Sequence, residues 1–333
     1  MEHDDIKIIK KLIKKSKVIF LMAHKNLDLD AISSCIAMNY LLQKINKEVF
    51  IIIDDKTNEL GVEKILYEID NSYKIITSKE VEEKLHKNKR KNLLIVLDTN
   101  KKDLLQNKEV LKYFDKKLVI DHHDLGKNSI YDGNQIIDVN YSSASQMVLQ
   151  IINEYKVEIN PYIATLLLSG IVLDTNNFTL NTNEETFYSA YYLMVYGASN
   201  KKVQYLLKQD INHYIEQQKL LTNIEIVNDK IAIAKGTPYA VYRREDLARI
   251  SETLLFFNNI ELSIVIGKVS KEDVGVSARS FGIIDVEELM TRLGGGGNKQ
   301  YGAAIIKKKN ISEVVDKVKK ELKKMEEKNA SNI

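Results

Sequence analysis

VIFLMAHKNLDLD, Val18 to Asp30, is the stretch whose reading decides the fold. Its first seven residues, Val18 to His24, form an unbroken apolar run of the kind a strand covered on both faces requires. A short polar segment follows, and from Ala31 to Leu42 the apolar residues recur at helical spacing. Strand, polar turn and helix in that order make the repeating unit of a parallel sheet. Outward from this stretch the same alternation continues. EVFIII (Glu48 to Ile53), NLLIVLD (Asn92 to Asp98) and KLVIDHH (Lys117 to His123) are further short apolar runs, each ending in polar or acidic residues. Ile6 to Lys15 and Ser143 to Tyr155 have helical spacing, and Pro161 opens the apolar helix Ile163 to Leu173. The first part of the chain therefore reads as α/β, a parallel sheet flanked by helices.

The character changes after Asn223, where IEIVNDKIAIAKG alternates as a β-hairpin does, with Asn-Asp at its turn. Strands are expected at Ile231 to Ala234, Ala240 to Tyr242, Leu262 to Lys268 and Val274 to Arg279. A helix, the glycine run Gly294 to Gly297 and a lysine-rich helix from Lys307 to Lys328 complete the pattern. The division that follows is a first domain over 1–200, a helical linker over 201–225 and a smaller α/β domain over 226–333. No internal repeat is visible.

Composition narrows the class. The chain has 333 residues, 44% of them hydrophobic and 29% charged, too apolar for disorder and long enough for two domains. Its single cysteine, Cys35, excludes an internal disulfide and a zinc-thiolate site, favours a reducing compartment, and is expected to be buried. The 49 basic and 46 acidic residues leave a net charge of +3, without the basic stripe that a long nucleic acid needs. The best apolar run, Ile163 to Leu173, is broken by Thr165, Ser169 and Gly170 and falls short of the ~18–20 residues of a membrane span. Val18 to Ala23 is too short for a signal-peptide core. These observations lead to a cytoplasmic protein with no membrane partner.

Ionisable residues gather where a parallel sheet binds its ligands, at the carboxyl ends of the strands. His24, Asp28 and Asp30 follow the first strand, Asp98 ends the third run, and Asp121-His122-His123 ends the fourth. Asp174 ends the apolar run GIVLD. Taken alone, Asp28 or Asp30 reads equally well as a helix N-cap. Together, so many carboxylates at one sheet edge repel one another unless cations intervene, and carboxylate with imidazole suits Mn²⁺ or Mg²⁺ better than a soft metal. Two such ions ~3.5–4 Å apart activate water for in-line attack on phosphorus.

This set, in this order, resembles the four motifs of the DHH phosphoesterase superfamily. VSARS (Val276 to Ser280), LGGGG (Leu293 to Gly297) and Ala303-Ala304 resemble its DHHA1 substrate-binding domain. Within the superfamily, GIVLDTNNFTLNT and VSARSFGIIDVEELMTRLGGGG look most like the bacterial cyclic-di-AMP phosphodiesterases of the GdpP type, here as a standalone form. The resemblance implies two Mn²⁺ ions, with Mg²⁺ or Co²⁺ as substitutes. It assigns His24, Asp28 and Asp98 to one ion and Asp30, Asp98, His122 and Asp174 to the other, with Asp98 as the bridge. His123 would face the scissile phosphate as clamp or proton donor, and Asp121 would orient a neighbouring histidine. A homodimer is also implied.

Substrate binding is expected at Arg279, whose guanidinium donates in pairs to phosphate, and at Gly294, Gly295, Gly296, Gly297 and Asn298. The family pattern has histidine after the glycines, and this chain has Asn298, an amide that carries neither proton nor charge. His3, His86 and His213 read as surface residues, and the aromatics from Tyr188 to Tyr196 as packing. The expected activity is metal-dependent hydrolysis of cyclic-di-AMP to pApA and onward to AMP. The alternatives are an oligoribonuclease and 3′-phosphoadenosine 5′-phosphate phosphatase of the NrnA type, and a catalytically silent nucleotide sensor. An inorganic pyrophosphatase, which shares only the first half, ranks low. The partners are thus a cyclic dinucleotide or a short linear oligonucleotide.

Overall fold

In the computed structural model, residues 1–54, 59–69, 73–126 and 128–330 are described. Six strands make the first sheet: β1 (Val18–Met22), β2 (Glu48–Ile52), β3 (Ile75–Ile76), β4 (Asn92–Leu97), β5 (Lys117–Asp121) and β6 (Asn134–Ile137). All pair in parallel, in the order β3-β2-β1-β4-β5-β6. The order reverses between β1 and β4, so the connections leaving these two strands run to opposite sides and open a crevice at their carboxyl ends. The short edge strands β3 and β6 lack the long apolar runs of the interior strands and were not expected.

Each interior strand is buried on both faces because successive side chains point to opposite sides. Ile19 and Leu21 of β1 join a core with helices α1 (His3–Lys15), α2 (Leu29–Lys44), α3 (Leu60–Glu68), α5 (Ala144–Glu154) and α6 (Pro161–Asp174). Val18, Phe20 and Met22 face a second core with Phe50, Phe114 and Val81, the last from the short helix α4 (Val81–Lys84). Helices α7 (Glu184–Val195) and α8 (Asn200–Leu206) complete this unit.

The chain divides into two compact units, Met1–Lys208 and Gln209–Ile333. The expected connecting helix is broken: Val203 and Leu206 of α8 pack into the first core, and a new helix, α9 (Ile211–Gln218), starts within the second unit with Asp210 as its N-cap. The second sheet holds β7 (Ile224–Val227), β8 (Ile231–Lys235), β9 (Leu262–Lys268), β10 (Val274–Ser280), β11 (Gly296–Gly297) and β12 (Tyr301–Ile306). Its order is β11-β12-β10-β9-β8-β7, antiparallel except for β8 with β9. Helices α10 (Arg244–Leu254), α11 (Val286–Arg292) and α12 (Ile311–Ala330) accompany it.

The β7–β8 hairpin turns on Asn228 and Asp229, both left-handed at φ 51° and 58°, as a tight hairpin turn demands. Ala240 to Tyr242 is not a strand, since only an isolated bridge joins Val241 to Lys268. Cys35 is buried as expected. His213 is half-buried rather than a free surface residue, with Nε2 3.0 Å from Asp246 Oδ1. The packing role expected for the α7 aromatics fails in part, because Tyr188 and Tyr191 are 58% and 63% exposed. Among the described residues no helix is long and apolar enough to cross a membrane.

Candidate metal centre

The ionisable residues at the carboxyl edge of the first sheet come together as three overlapping groups. These are His24, Asp28 and Asp98; Asp30, Asp98, His122 and Asp174; and Asp98, Asp121, His122 and His123. Within each group one donor atom per residue lies within 4.8 Å of the others, close enough to hold a metal ion. Asp98 belongs to all three.

Asp98 follows β4 in the left-handed region, at φ 58°, a conformation that costs an aspartate less than most residues but still has to be held by its surroundings. The carboxylate is nearly fully buried. Its Oδ2 lies 3.4 Å from His24 Nε2 and its Oδ1 3.3 Å from His122 Nε2, so each oxygen faces a different imidazole. Burial pushes this carboxyl up, but the facing His122 and His24 outweigh it and hold it well below the usual range.

His24 is aimed by its own loop. Its Nδ1 lies 2.8 Å from the Lys25 carbonyl, which can only accept, so Nδ1 carries the proton and Nε2 is directed between Asp98 and Asp28. Asp28 realises both of its sequence readings. Its Oδ1 caps α2 by accepting from Ala31 N–H at 2.9 Å, and its Oδ2 faces His24 Nε2 at 3.5 Å.

Asp30, in the first turn of α2, is fully buried against the N-terminus of α5. Its Oδ2 accepts from Ala144 N–H at 2.6 Å and its Oδ1 from Ser145 N–H at 2.8 Å, where the helix dipole favours negative charge. Burial, then Asp98 and Asp174, nevertheless push its carboxyl well above the usual value. His122 Nε2 lies 3.1 Å from Asp174 Oδ2 and 4.0 Å from Asp30 Oδ2. Asp174 is the last residue of α6 and is pushed up to about 6, first by burial and then by Asp98, against the pull of His122.

Asp121 and His123 form a pair beside this cluster. Asp121 Oδ1 accepts from His123 Nδ1 at 2.8 Å, which leaves Nε2 of a half-exposed ring free. Burial lowers the imidazole, but Asp121 outweighs it and raises the ring above its ordinary value.

The donor set fits divalent cations. Asp98 Oδ1 and His122 Nε2 are buried and, though close, make no hydrogen bond. Buried orphans of that kind cost free energy unless a further group satisfies them. All the donors are carboxylate oxygen or imidazole nitrogen. Burial pushes the Cys35 thiol up, which keeps it protonated and unfit as a ligand.

In the second unit the predicted substrate residues are occupied locally. Arg279 Nε lies 3.1 Å from Glu252 Oε1, and its Nη1 donates to the Ala278 carbonyl at 3.0 Å and to Ser277 Oγ at 3.3 Å. Asn298 Oδ1 accepts from the N–H groups of Gln300 and Tyr301 at 2.9 and 3.0 Å, closing the turn between β11 and β12. Of the four glycines, Gly295 and Gly297 approach the backbone of β12 too closely for any side chain, Gly294 is left-handed at φ 89°, and Gly296 has open space around it.

Sequence reasoning missed three contributors: Asn100, the α5 N-terminus and Gly170. Asn100 looks like any loop residue in sequence. Only the fold shows it donating to Asp121 Oδ2 at 2.7 Å.

With the geometry in place, comparison with known proteins defines the class. Residues 18–171 match the DHH family, N-terminal domain, and residues 228–324 match the DHHA1 domain. The matches cover most of the chain, which belongs to the DHH family in its two-domain DHH–DHHA1 form. The chain is 33% identical over 309 residues, 92% of its length, to the cyclic-di-AMP phosphodiesterase GdpP of Geobacillus thermodenitrificans. It spans 47% of that relative, about half its length. It is 26% identical over 254 residues, 69% of this chain and 72% of the relative, to the bifunctional oligoribonuclease and PAP phosphatase NrnA of Mycoplasma pneumoniae. Among solved structures, an exopolyphosphatase-related protein from Bacteroides fragilis shares the fold with TM-score 0.76 and 20% identity, over 96% of this chain and 95% of that one.

Proposed function

We propose that this chain is a metal-dependent phosphodiesterase that hydrolyses cyclic-di-AMP to pApA, and onward to AMP, at a dinuclear Mn²⁺ centre. The observation that carries the proposal is the Asp98 carboxylate, buried with one oxygen toward His24 and the other toward His122, as a ligand bridging two cations would be. His24, Asp28 and Asp98 would hold one ion, and Asp30, Asp98, His122 and Asp174 the other. When bound, the ions supply an activated water and a counter-charge for the phosphate. The buried carboxylates and the α5 N-terminus keep these ligands in place. His123, oriented by Asp121 and raised in pKa, presents Nε2 for a hydrogen bond to a phosphate oxygen and for proton delivery to the leaving oxygen.

The substrate has two readings. Arg279 and the glycine run would receive a nucleotide phosphate, with Arg279 giving up part of its contact with Glu252. Asn298 spends its oxygen on its own turn and has only its amide nitrogen to offer where the family pattern has histidine. A linear substrate of the NrnA type, supported by the likeness to that relative, is the second reading. A homodimer in the cytoplasm completes the proposal.

The test is a panel with Mn²⁺: cyclic-di-AMP, cyclic-di-GMP, pApA, a short RNA and 3′-phosphoadenosine 5′-phosphate, compared by kcat/KM. Fastest turnover of cyclic-di-AMP supports the first reading. Much faster turnover of pApA, the short RNA or phosphoadenosine phosphate selects the second, and binding without turnover selects the sensor.

A further inference from the structure

We infer that Asn100 is a positioning residue of this site, acting through Asp121 to hold the His123 ring, and that Ser129 sets its direction. The inference rests on the proposed phosphodiesterase reading and adds to it two residues outside the ligands proposed for the two ions, one of them bonded to Asp121.

Asp121 is fully buried, so each carboxylate oxygen needs a donor. Oδ1 takes the Nδ1 of His123 at 2.8 Å and the backbone N–H of the same residue at 3.3 Å. Oδ2 takes Asn100 Nδ2 at 2.7 Å. Asn100 is itself 1% exposed, and its Nδ2 also donates to the carbonyls of His123 at 3.0 Å and Asp124 at 3.3 Å.

The amide has one workable orientation. A carboxylate and two carbonyls accept only, so the nitrogen must face them and the oxygen must face the other way. There it meets the Ser129 hydroxyl, which donates to Asn100 Oδ1 at 2.7 Å and accepts from Gly126 N–H at 2.9 Å. The backbone is pinned as well, since Ile130 N–H donates to the Asn100 carbonyl at 2.7 Å. Donors therefore run from Ser129 to Asn100 to Asp121, where His123 meets the chain from the other side. Without the Asn100 amide, Asp121 Oδ2 is buried with no donor, its carboxylate is free to turn, and the His123 ring loses a fixed acceptor. A shape-filling asparagine would need none of these bonds.

Asn100→Ala and Asn100→Asp separate the two roles, because aspartate keeps the shape and replaces the donor with an acceptor facing Asp121. The expected result is a fall in kcat of about 10- to 100-fold for both, with KM and Mn²⁺ affinity by calorimetry near wild type. His123→Ala combined with Asn100→Ala should lose little more than His123→Ala alone, since both act through one ring. Independently of turnover, ¹H–¹⁵N spectra of the metal-free protein recorded cold should show the His123 Nδ1–H signal, assigned through its loss in His123→Ala, disappearing in both Asn100 variants.

Wild-type kcat in Asn100→Asp overturns the inference, and so do losses in the double variant that multiply, or a defect confined to KM or metal affinity. Where Asn100→Ala does not fold, Ser129→Ala is expected to lower kcat by a smaller factor, and unchanged kcat there overturns it equally. If the wild-type protein cleaves nothing in the panel, the phosphodiesterase reading has failed. The His123 signal still decides the hydrogen-bond relay, and its persistence without Asn100 would sink that as well.

Discussion

Gly170 of α6 lies against Asp30 of α2 so closely that a Cβ at position 170 would sit 2.5 Å from Asp30 Oδ1 and 3.0 Å from its Cα. The absent side chain is what lets α6 pack onto α2 while the Asp30 carboxylate keeps its two N–H donors on α5. In an ordinary helix interior, glycine to alanine gains up to about 1 kcal/mol. Here the sign is expected to reverse. Gly170→Ala should destabilise the protein by about 1–3 kcal/mol through overpacking and weaken cation binding by displacing Asp30. Thermal melts with and without Mn²⁺ measure both effects, and a variant as stable as wild type would show that the contact relaxes freely.

Asp98→Ala removes the carboxylate common to all three groups. Turnover is expected to fall to background and bound metal, measured by elemental analysis after gel filtration, to fall from two equivalents to none. Asp28→Ala affects one group only, together with the α2 cap, so it should keep part of the second equivalent. Retention of full metal content by Asp98→Ala would exclude a shared bridge.

The cluster gives the metal-free protein an unusual pH dependence. His24, His122, Asp30 and Asp174 all bind protons more tightly in the folded chain than their ordinary values imply, with Asp174 pushed up to about 6. Groups raised in this way stabilise the fold at low pH, and that stabilisation is lost as pH rises through the folded value. Asp98 has the opposite sign, but its contribution is lost only as pH falls below the ordinary carboxylate range. Between about pH 5 and pH 8 the Tm of the metal-free protein should therefore fall as pH rises. Mn²⁺ needs the deprotonated ligands, so the Tm increase it produces should grow over the same interval. A metal-free Tm that rises from pH 5 to 8 would contradict the assigned shifts.

Asn298→His restores the residue that the family pattern has after the glycines, at the expense of the two backbone donors that Asn298 Oδ1 now satisfies. The expected outcome is unchanged metal content, a stability loss of about 1 kcal/mol in the second unit and a changed KM for nucleotide. Comparing KM for cyclic-di-AMP and pApA in the variant and wild type shows whether position 298 discriminates between them.

Freeing Arg279 is the complementary experiment. Glu252→Gln removes the carboxylate beside its guanidinium. If Arg279 receives a phosphate, KM should drop several-fold, by an amount that shrinks with added salt. No change in KM would leave Arg279 as a structural ion pair of the second sheet.

Much of this protein can be read locally. Continuous apolar runs at Val18, Asn92 and Lys117 state that those strands are covered on both faces, which requires helices on both sides of a parallel sheet. Once that is known, residues following the strands must lie at one edge, so His24, Asp98 and His122 were bound to meet. Asn-Asp at 228–229 likewise announced its hairpin through local backbone preference. What the chain alone could not state are relations between side chains on different elements. Asp30 finds its donors at residues 144 and 145, Arg279 meets Glu252, and Asn100 reaches Asp121, each pairing set by helix packing and loop conformation rather than by periodicity. Sequence patterns report how each element is buried. Only the packed tertiary structure decides which polar atom faces which, because that depends on distances of a few ångströms between segments that no spacing rule connects.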